Sequence, residues 1–331
     1  VGKKLTVILS VLYYLPVLWM SFFLSTIDAR CQDIQPTITL DGSFYPSRNL
    51  KDANGSYGHS LAYARLTLPV LKNVKLKDNG LRFYLLSLSA NASIDNTQLS
   101  LLPANRTFYT GTISINGIYK ASGKSSWFSK FTTSSFEDDV TIRSPSLRVS
   151  GFALYRRSVR ETFFYMVGGA YSFVYGSGLP LPVLGVGWRF TNNASLTAIL
   201  PFSLTYRFGK TYNQFSIFIK PNGGVSNFYN NVFFMNEGEK IVFRRREFVL
   251  GVRKRIRLSD QWSILAETGL VAARRIFFSK DFTRENDAVI SEVNVKAGPY
   301  VSLGLKFKFK KDKPSDVQID PIDVDSILPN Y

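Results

Sequence analysis

Apolar and polar residues alternate without a break from Val293 to Phe309, and no other feature restricts the fold so tightly. Val293, Val295, Ala297, Pro299, Val301, Leu303, Leu305, Phe307 and Phe309 share one parity, while Asn294, Lys296, Gly298, Tyr300, Ser302, Gly304, Lys306 and Lys308 share the other. Successive side chains of a strand point to opposite faces, so this segment is a strand with one greasy and one polar side. Soluble strands run to about five or six residues. A tilted strand crossing a membrane needs about 9–11, and this segment is long enough.

The same period recurs at roughly 36–46, 58–71, 81–94, 107–121, 125–138, 146–157, 162–175, 181–191, 194–208, 212–222, 240–257 and 261–278. With 45% apolar and 15% aromatic residues the chain is too greasy to be disordered. Outside residues 1–31 no apolar run is long enough for a membrane helix. Connections alternate in length. Long polar stretches lie at 46–57, 95–106, 223–239 and 279–291, and short ones at 121–125, 157–161, 191–194, 208–212 and 257–261. That asymmetry is expected of an outer-membrane barrel with long external loops and tight periplasmic turns.

Trp127, Trp188 and Trp262 each fall within a few residues of a short turn. A tryptophan ring is apolar but its N–H seeks water, so the three are expected in an interfacial girdle at the periplasmic rim. With both termini periplasmic the number of crossings must be even. Reading 194–208 as a hairpin with its turn at Leu200-Pro201-Phe202 gives fourteen strands, and Pro201, which cannot donate to a ladder, suits a turn. Dropping 181–191 gives twelve. The expectation is an all-β, antiparallel transmembrane β-barrel, fourteen strands being favoured.

Lys3 and Lys4, the apolar run from Leu5 to Leu24 and the small-residue site around Ala29-Arg30-Cys31 read as an export signal over 1–31. The barrel then occupies 32–310 and an acidic tail 311–331. Cleavage after Cys31 removes the single cysteine, so no disulfide or thiol chemistry is expected. The signal carries a surplus of two positive charges and the tail a deficit of three, which leaves +18 of the total +17 on residues 32–310. A basic balance of that size fits nucleic acid in general, but here the charges follow a barrel pattern with no zinc spacing or basic helix, and no nucleic-acid partner is expected.

Two stretches carry a resemblance. The first runs from Leu179-Pro180-Leu181-Pro182 through Gly185-Val186-Gly187-Trp188-Arg189-Phe190 to Leu204-Thr205-Tyr206-Arg207. The second joins Leu250-Gly251-Val252-Arg253, Ala266-Glu267-Thr268-Gly269, Arg274-Arg275, Ala297-Gly298-Pro299-Tyr300 and Leu303-Gly304-Leu305. Together they resemble a family of outer-membrane β-barrels of unknown function found mainly in Bacteroidota. The resemblance implies fold and location and transfers no site residues. Ser302, Gly304, Phe307 and Phe309 also resemble the C-terminal signal read by the barrel-assembly machinery, which would be a transient partner through strand addition.

Strand parity places Arg189, Arg207, Lys220, Arg245, Arg253, Arg255, Arg275 and Lys296 on the polar face, with Glu247 and Glu267 among them. A charge facing lipid at mid-membrane costs roughly 2–4 kcal/mol, so these residues are expected in or near the lumen, where they favour anionic solutes or hold lumen carboxylates. Arg244, Arg246 and Lys254 take the opposite parity and are expected near lipid headgroups. His59-Ser60 is the one pair suggesting nucleophilic catalysis, but strand neighbours face opposite ways, no carboxylate orients the histidine, and His59 reads as a loop-border residue. Metal chemistry lacks a second histidine, and no cofactor is expected. The tail sets Val317, Ile319, Ile322, Val324, Ile327 and Leu328 among five aspartates and three prolines, which resist a helix. It could dock on a periplasmic partner or turn inward against the basic lumen. The functional expectation is a passive channel or solute-binding barrel with a basic lumen, and not an enzyme. The alternative is a non-conducting barrel that scaffolds an envelope complex.

Overall fold

The computed structural model describes residues 35–77, 80–100, 106–120, 124–138, 147–175, 178–210, 213–228, 241–279 and 289–309. The expected export signal and acidic tail lie outside them. Among the described residues there is no helix. Sixteen strand segments form one sheet: β1 Thr37–Asn49, β2 Ser56–Lys77, β3 Gly80–Leu99, β4 Arg106–Lys120, β5 Ser125–Glu137, β6 Leu147–Arg160, β7 Phe163–Ser172, β8 Leu179–Thr191, β9 Ala194–Leu200, β10 Ser203–Lys210, β11 Asn213–Pro221, β12 Gly224–Phe228, β13 Ile241–Arg257, β14 Trp262–Ser279, β15 Val289–Val295 and β16 Gly298–Lys308.

β11 and β12 both pair with β13 and form one crossing broken at Asn222-Gly223; β15 and β16 both pair with β14 and are broken at Lys296-Ala297. The sixteen segments therefore make fourteen antiparallel crossings. β16 returns to β1 from Thr37↔Lys308 to Phe44↔Val301, which closes the barrel and removes its edges. The hairpin expected at Pro201 is there, with Pro201-Phe202 between β9 and β10.

The exterior follows from the period. Leu40, Ile113, Phe131, Leu184, Leu250 and Leu303 stand out from the wall, and Leu303 is 63% exposed. Isolated exposed apolar residues are ordinary, but a continuous band of them around a closed sheet is a surface wetted by lipid. The three tryptophans point outward at the end where β4–β5, β8–β9 and β13–β14 turn. Trp127 packs on Tyr155 at 5.0 Å, Trp188 on Phe190 at 4.8 Å and Trp262 on Phe307 at 4.6 Å. Phe190, Tyr206, Phe208 and Phe215 continue the aromatic belt from strand to strand. Both described chain ends lie at this short-turn end.

At the opposite, long-loop end the wall is uneven. β9 and β10 have seven and eight residues, short of the ~9–11 that a crossing needs. β11 thus outruns its partner β10, and the β12 extension finds others. It meets β5 at Asn227↔Glu137, and Arg148 of β6 donates to the Val225 carbonyl and, at 2.9 Å, to Asn227 Oδ1. The segment after β7 closes over β12: a Cβ on Gly223 would lie 2.1 Å from the Val174 carbonyl, so only glycine fits there. Inside β5–β9, Phe152, Leu154, Met166, Val183, Ile199 and Phe202 make an apolar core, so this part of the barrel is filled.

Strict alternation also fails between β13 and β14. Arg246 pairs with Arg275 but Phe248 pairs with Ala272, so two residues of β14 oppose Glu247 alone. Ala273, at φ 50°, is the extra residue of this bulge. The bulge turns Arg274 inward and Arg275 outward. Arg275, expected in the lumen, instead lies on the exterior with its side chain 53% exposed and Nη1 3.5 Å from Glu292. Arg244 also departs from expectation. It has outward parity but is fully buried, and Arg246 donates to the Tyr175 carbonyl, so the segment after β7 covers this patch in place of lipid. Burial pushes the Tyr175 phenol up and the Arg246 charge pulls it back down; its hydroxyl donates to the Pro201 carbonyl at 2.6 Å.

Candidate functional site

The inward residues of β13, taken from the short-turn end, give the layers of the lumen in order: Arg255, Arg253, Gly251, Val249, Glu247, Arg245, Phe243 and Ile241. A basic mouth is followed by an apolar floor, a charged layer and an apolar cap.

The mouth is a cavity of about 210 Å³ lined by β1, β2, β3, β10, β11, β13, β14 and β16. Arg65, Lys220, Arg253, Arg255 and Lys306 face Asp41 and Glu267 across it, a surplus of positive charge. Glu267 is shared: Arg253 Nε donates to Oε1 at 2.6 Å and Lys220 Nζ lies 3.8 Å from Oε2. Both cations also sit over the Phe218 ring, at 4.8 and 5.1 Å. Asp41 accepts from Ser302 Oγ at 3.0 Å and from Ser43 Oγ at 3.2 Å. Arg189 and Arg207 share the interior row of Arg253, separated from it by Ser195 and Ser216 in the register, and flank the cavity without lining it.

Tyr45, Phe218, Val249, Val271 and Tyr300 form the floor. Tyr45 stacks on Tyr300 at 5.5 Å and on His59 at 4.0 Å. His59 is not at a loop border: it is 3% exposed inside the lumen, between the rings of Tyr45 and Tyr57, and Ser60 takes the opposite parity of β2.

Above it, Arg245 Nη1 donates to Asp95 Oδ2 at 3.0 Å, tying β13 to β3 across the lumen. Glu247 accepts from Arg274 Nε at 3.1 Å and from Asn222 Nδ2 at 2.5 Å, and Arg245 Nε stands 3.7 Å away. Arg274 also lies 4.9 Å over the Tyr57 ring. Two cations thus meet two carboxylates, a balance that burial demands. The cap is Leu50, Tyr57, Leu99, Phe108, Ile241, Phe243, Ile276, Val293 and Val295.

Of the polar-face cations, Lys220, Arg253 and Arg255 line the cavity and Arg245 lies in the charged layer. Sequence reasoning missed Arg65, Asp41 and Lys306, whose parity was available, as well as Asp95, which falls in a stretch read as loop, and Arg274, which only the bulge brings inside. Ser302 and Gly304 face inward against Asp41 while Phe307 packs outward on Trp262, and all belong to the strand that closes the barrel or, for Phe309, follow it.

Among solved structures, the COG4313 outer membrane channel from Pseudomonas putida F1 aligns with 10% identity over 86% of this chain and 98% of its own, at a TM-score of 0.45. The KdgM porin aligns with 8% identity over 82% and 99%, at 0.33. The translocator domain of autotransporter NalP from Neisseria meningitidis aligns with 9% identity over 91% and 97%, at 0.35. No curated protein matches the chain. Residues 37–308, the whole barrel from β1 to β16, match the family described as Domain of unknown function (DUF6268), and the chain belongs to that family.

Proposed function

We propose that the protein is an outer-membrane barrel that admits small anionic solutes into its basic pocket from a periplasmic short-turn end, with onward passage closed in this conformation by the Arg245–Asp95 layer. The observation that carries the reading is the pocket itself: five cations against two carboxylates around a cavity that ends on Tyr45 and Tyr300. Fixed charge on low-dielectric walls concentrates counter-ions of opposite sign. The lipid-wetted exterior and aromatic belt support the location, with outer-membrane lipid as the surrounding partner. The role of β16 as the closing strand supports Ser302, Gly304, Phe307 and Phe309 as a signal for the barrel-assembly machinery. No chemical step is assigned to the barrel, which we read as non-enzymatic.

The test is equilibrium binding of a small carboxylate to the purified barrel. Arg253→Glu with Arg255→Glu is expected to abolish it and to turn any residual conductance in planar bilayers toward cations. Anion binding and selectivity unchanged by this reversal would remove the reading.

The charged layer and apolar cap packed above the floor favour a second reading, a non-conducting scaffold that engages a periplasmic partner through 311–331. A barrel that stays silent when the charged layer is removed, and that loses a co-purifying envelope protein on truncation after residue 310, would establish it.

A further inference from the structure

We propose that the strand edge which β2 leaves open at the short-turn end is the docking site of the chain's own acidic segment 311–331, which adds to it as a further strand. The inference is independent of what the pocket binds.

β2 has 22 residues and its neighbour β1 has 13. Their pairing ends at Thr37↔Thr67, whereas β2 continues beside β3 as far as Lys77↔Gly80. Residues 68–77 of β2 therefore have no strand on the β1 side among the described residues. β4 follows β3 only to Phe83↔Lys120, and from there to its turn the β2–β3 hairpin has two strands. Unpaired backbone N–H and C=O groups along such an edge are a template for another strand. A two-stranded ribbon is also marginal in water until a third strand joins it. Pro69 and the register shift between Pro69 and Leu71 interrupt the edge near its start, which leaves 71–77 as its regular part.

Proximity, length and charge select the occupant. Lys308, at the end of β16, is paired with Thr37, and Thr37 with Thr67. The chain thus leaves the wall two strand spacings, about 10 Å, from where the edge begins. Attachment at that distance makes docking intramolecular, with an effective concentration of millimolar order that a free chain must match. β16 and β2 are both antiparallel to β1, so the departing chain heads along the edge toward Lys77. Residues 68–77 extend over about 33 Å and residues 310–320 reach about 36 Å when extended. Pro321 follows at that point, and a reversal there returns 322–328 along 71–77, antiparallel to β2. That stretch contains no proline and sets Ile322, Val324 and Leu328 in alternation with Asp323 and Asp325. By sequence, 68–83 carries Lys72, Lys75, Lys77 and Arg82 against Asp78, a surplus of three positive charges, and 311–331 has a deficit of three. Lysines in an edge discourage pairing with a second copy of itself and favour an acidic strand.

The experiment is hydrogen exchange read by mass spectrometry on the full-length barrel in lipid nanodiscs and on the chain truncated after residue 310. Heat-modifiable gel mobility checks that both are folded. Truncation is expected to raise exchange of 71–77 at least tenfold and to leave β9 and β10 unchanged. A synthetic 311–331 peptide added to the truncated barrel is expected to restore the protection. The same peptide with Val324→Pro, which interrupts the ladder, is expected not to. Exchange at 71–77 that is indifferent to truncation overturns the proposal; protection that then rises with barrel density identifies a second copy as the occupant. Equal protection by the Val324→Pro peptide overturns strand addition by 322–328.

Discussion

Glu247 is a carboxylate held in the buried charged layer of the lumen. It is fully buried and accepts from Arg274 and Asn222, with Arg245 close by. Removing one member of a buried ion pair strands its partner and costs about 3–5 kcal/mol, whereas replacing the pair by apolar groups is often neutral. Glu247→Leu is therefore expected to lower stability in urea titrations of the barrel in lipid by about 3–5 kcal/mol, and Arg274→Met added to it to restore most of the loss. Ala273 stores strain of another kind, at φ 50°. A non-glycine residue there pays roughly 1–2 kcal/mol, so Ala273→Gly should stabilise by up to about 1 kcal/mol, and Ala273→Val should destabilise while pulling Arg274 from Glu247. These adjacent arginines show how little residue type says alone: one is inside and one outside because of a single inserted residue.

At the scale of elements, the short hairpin β9–β10 shapes the long-loop end. Because β10 stops early, the upper part of the β11–β12 crossing pairs elsewhere, and Arg148 reaches from β6 to hold it. The segment after β7 then lies on β12, where Gly223 allows the approach. Gly223→Val is expected to cost about 1–3 kcal/mol through overpacking and to reduce the heat-resistant fraction on unboiled gels. The hairpin was legible from parity and Pro201. Its consequence for β12 was not, since residues 223–239 read as a polar loop, and the β5–β12 contact joins segments far apart in sequence.

At the scale of the molecule, the layering of the lumen bears most on the proposed passage. Floor, charged layer and cap lie in series, and the Arg245–Asp95 ion pair reaches from β13 to β3 across the opening. In planar bilayers the wild-type barrel is expected to be closed for most of the time. Arg245→Ser with Asp95→Ser removes both the strut and a large side chain and should raise open probability at least tenfold, about 1.4 kcal/mol in the closed–open balance. A pair of variants as silent as wild type would favour the scaffold.

The alternation of side chains is a property of each strand by itself, so the sequence determined the barrel, its greasy outside and the end that carries Trp127, Trp188 and Trp262, and favoured fourteen crossings over twelve. It also told which parity of β13 faces inward, and with it Arg253, Arg255 and Arg245. What the lumen contains depends on which strands face one another across the barrel and on where bulges shift the register. Those relations decided that Arg274 enters and Arg275 leaves, that His59 lies buried between two tyrosines, and that Asp95 meets Arg245. They are set by long-range pairing, which no local period encodes.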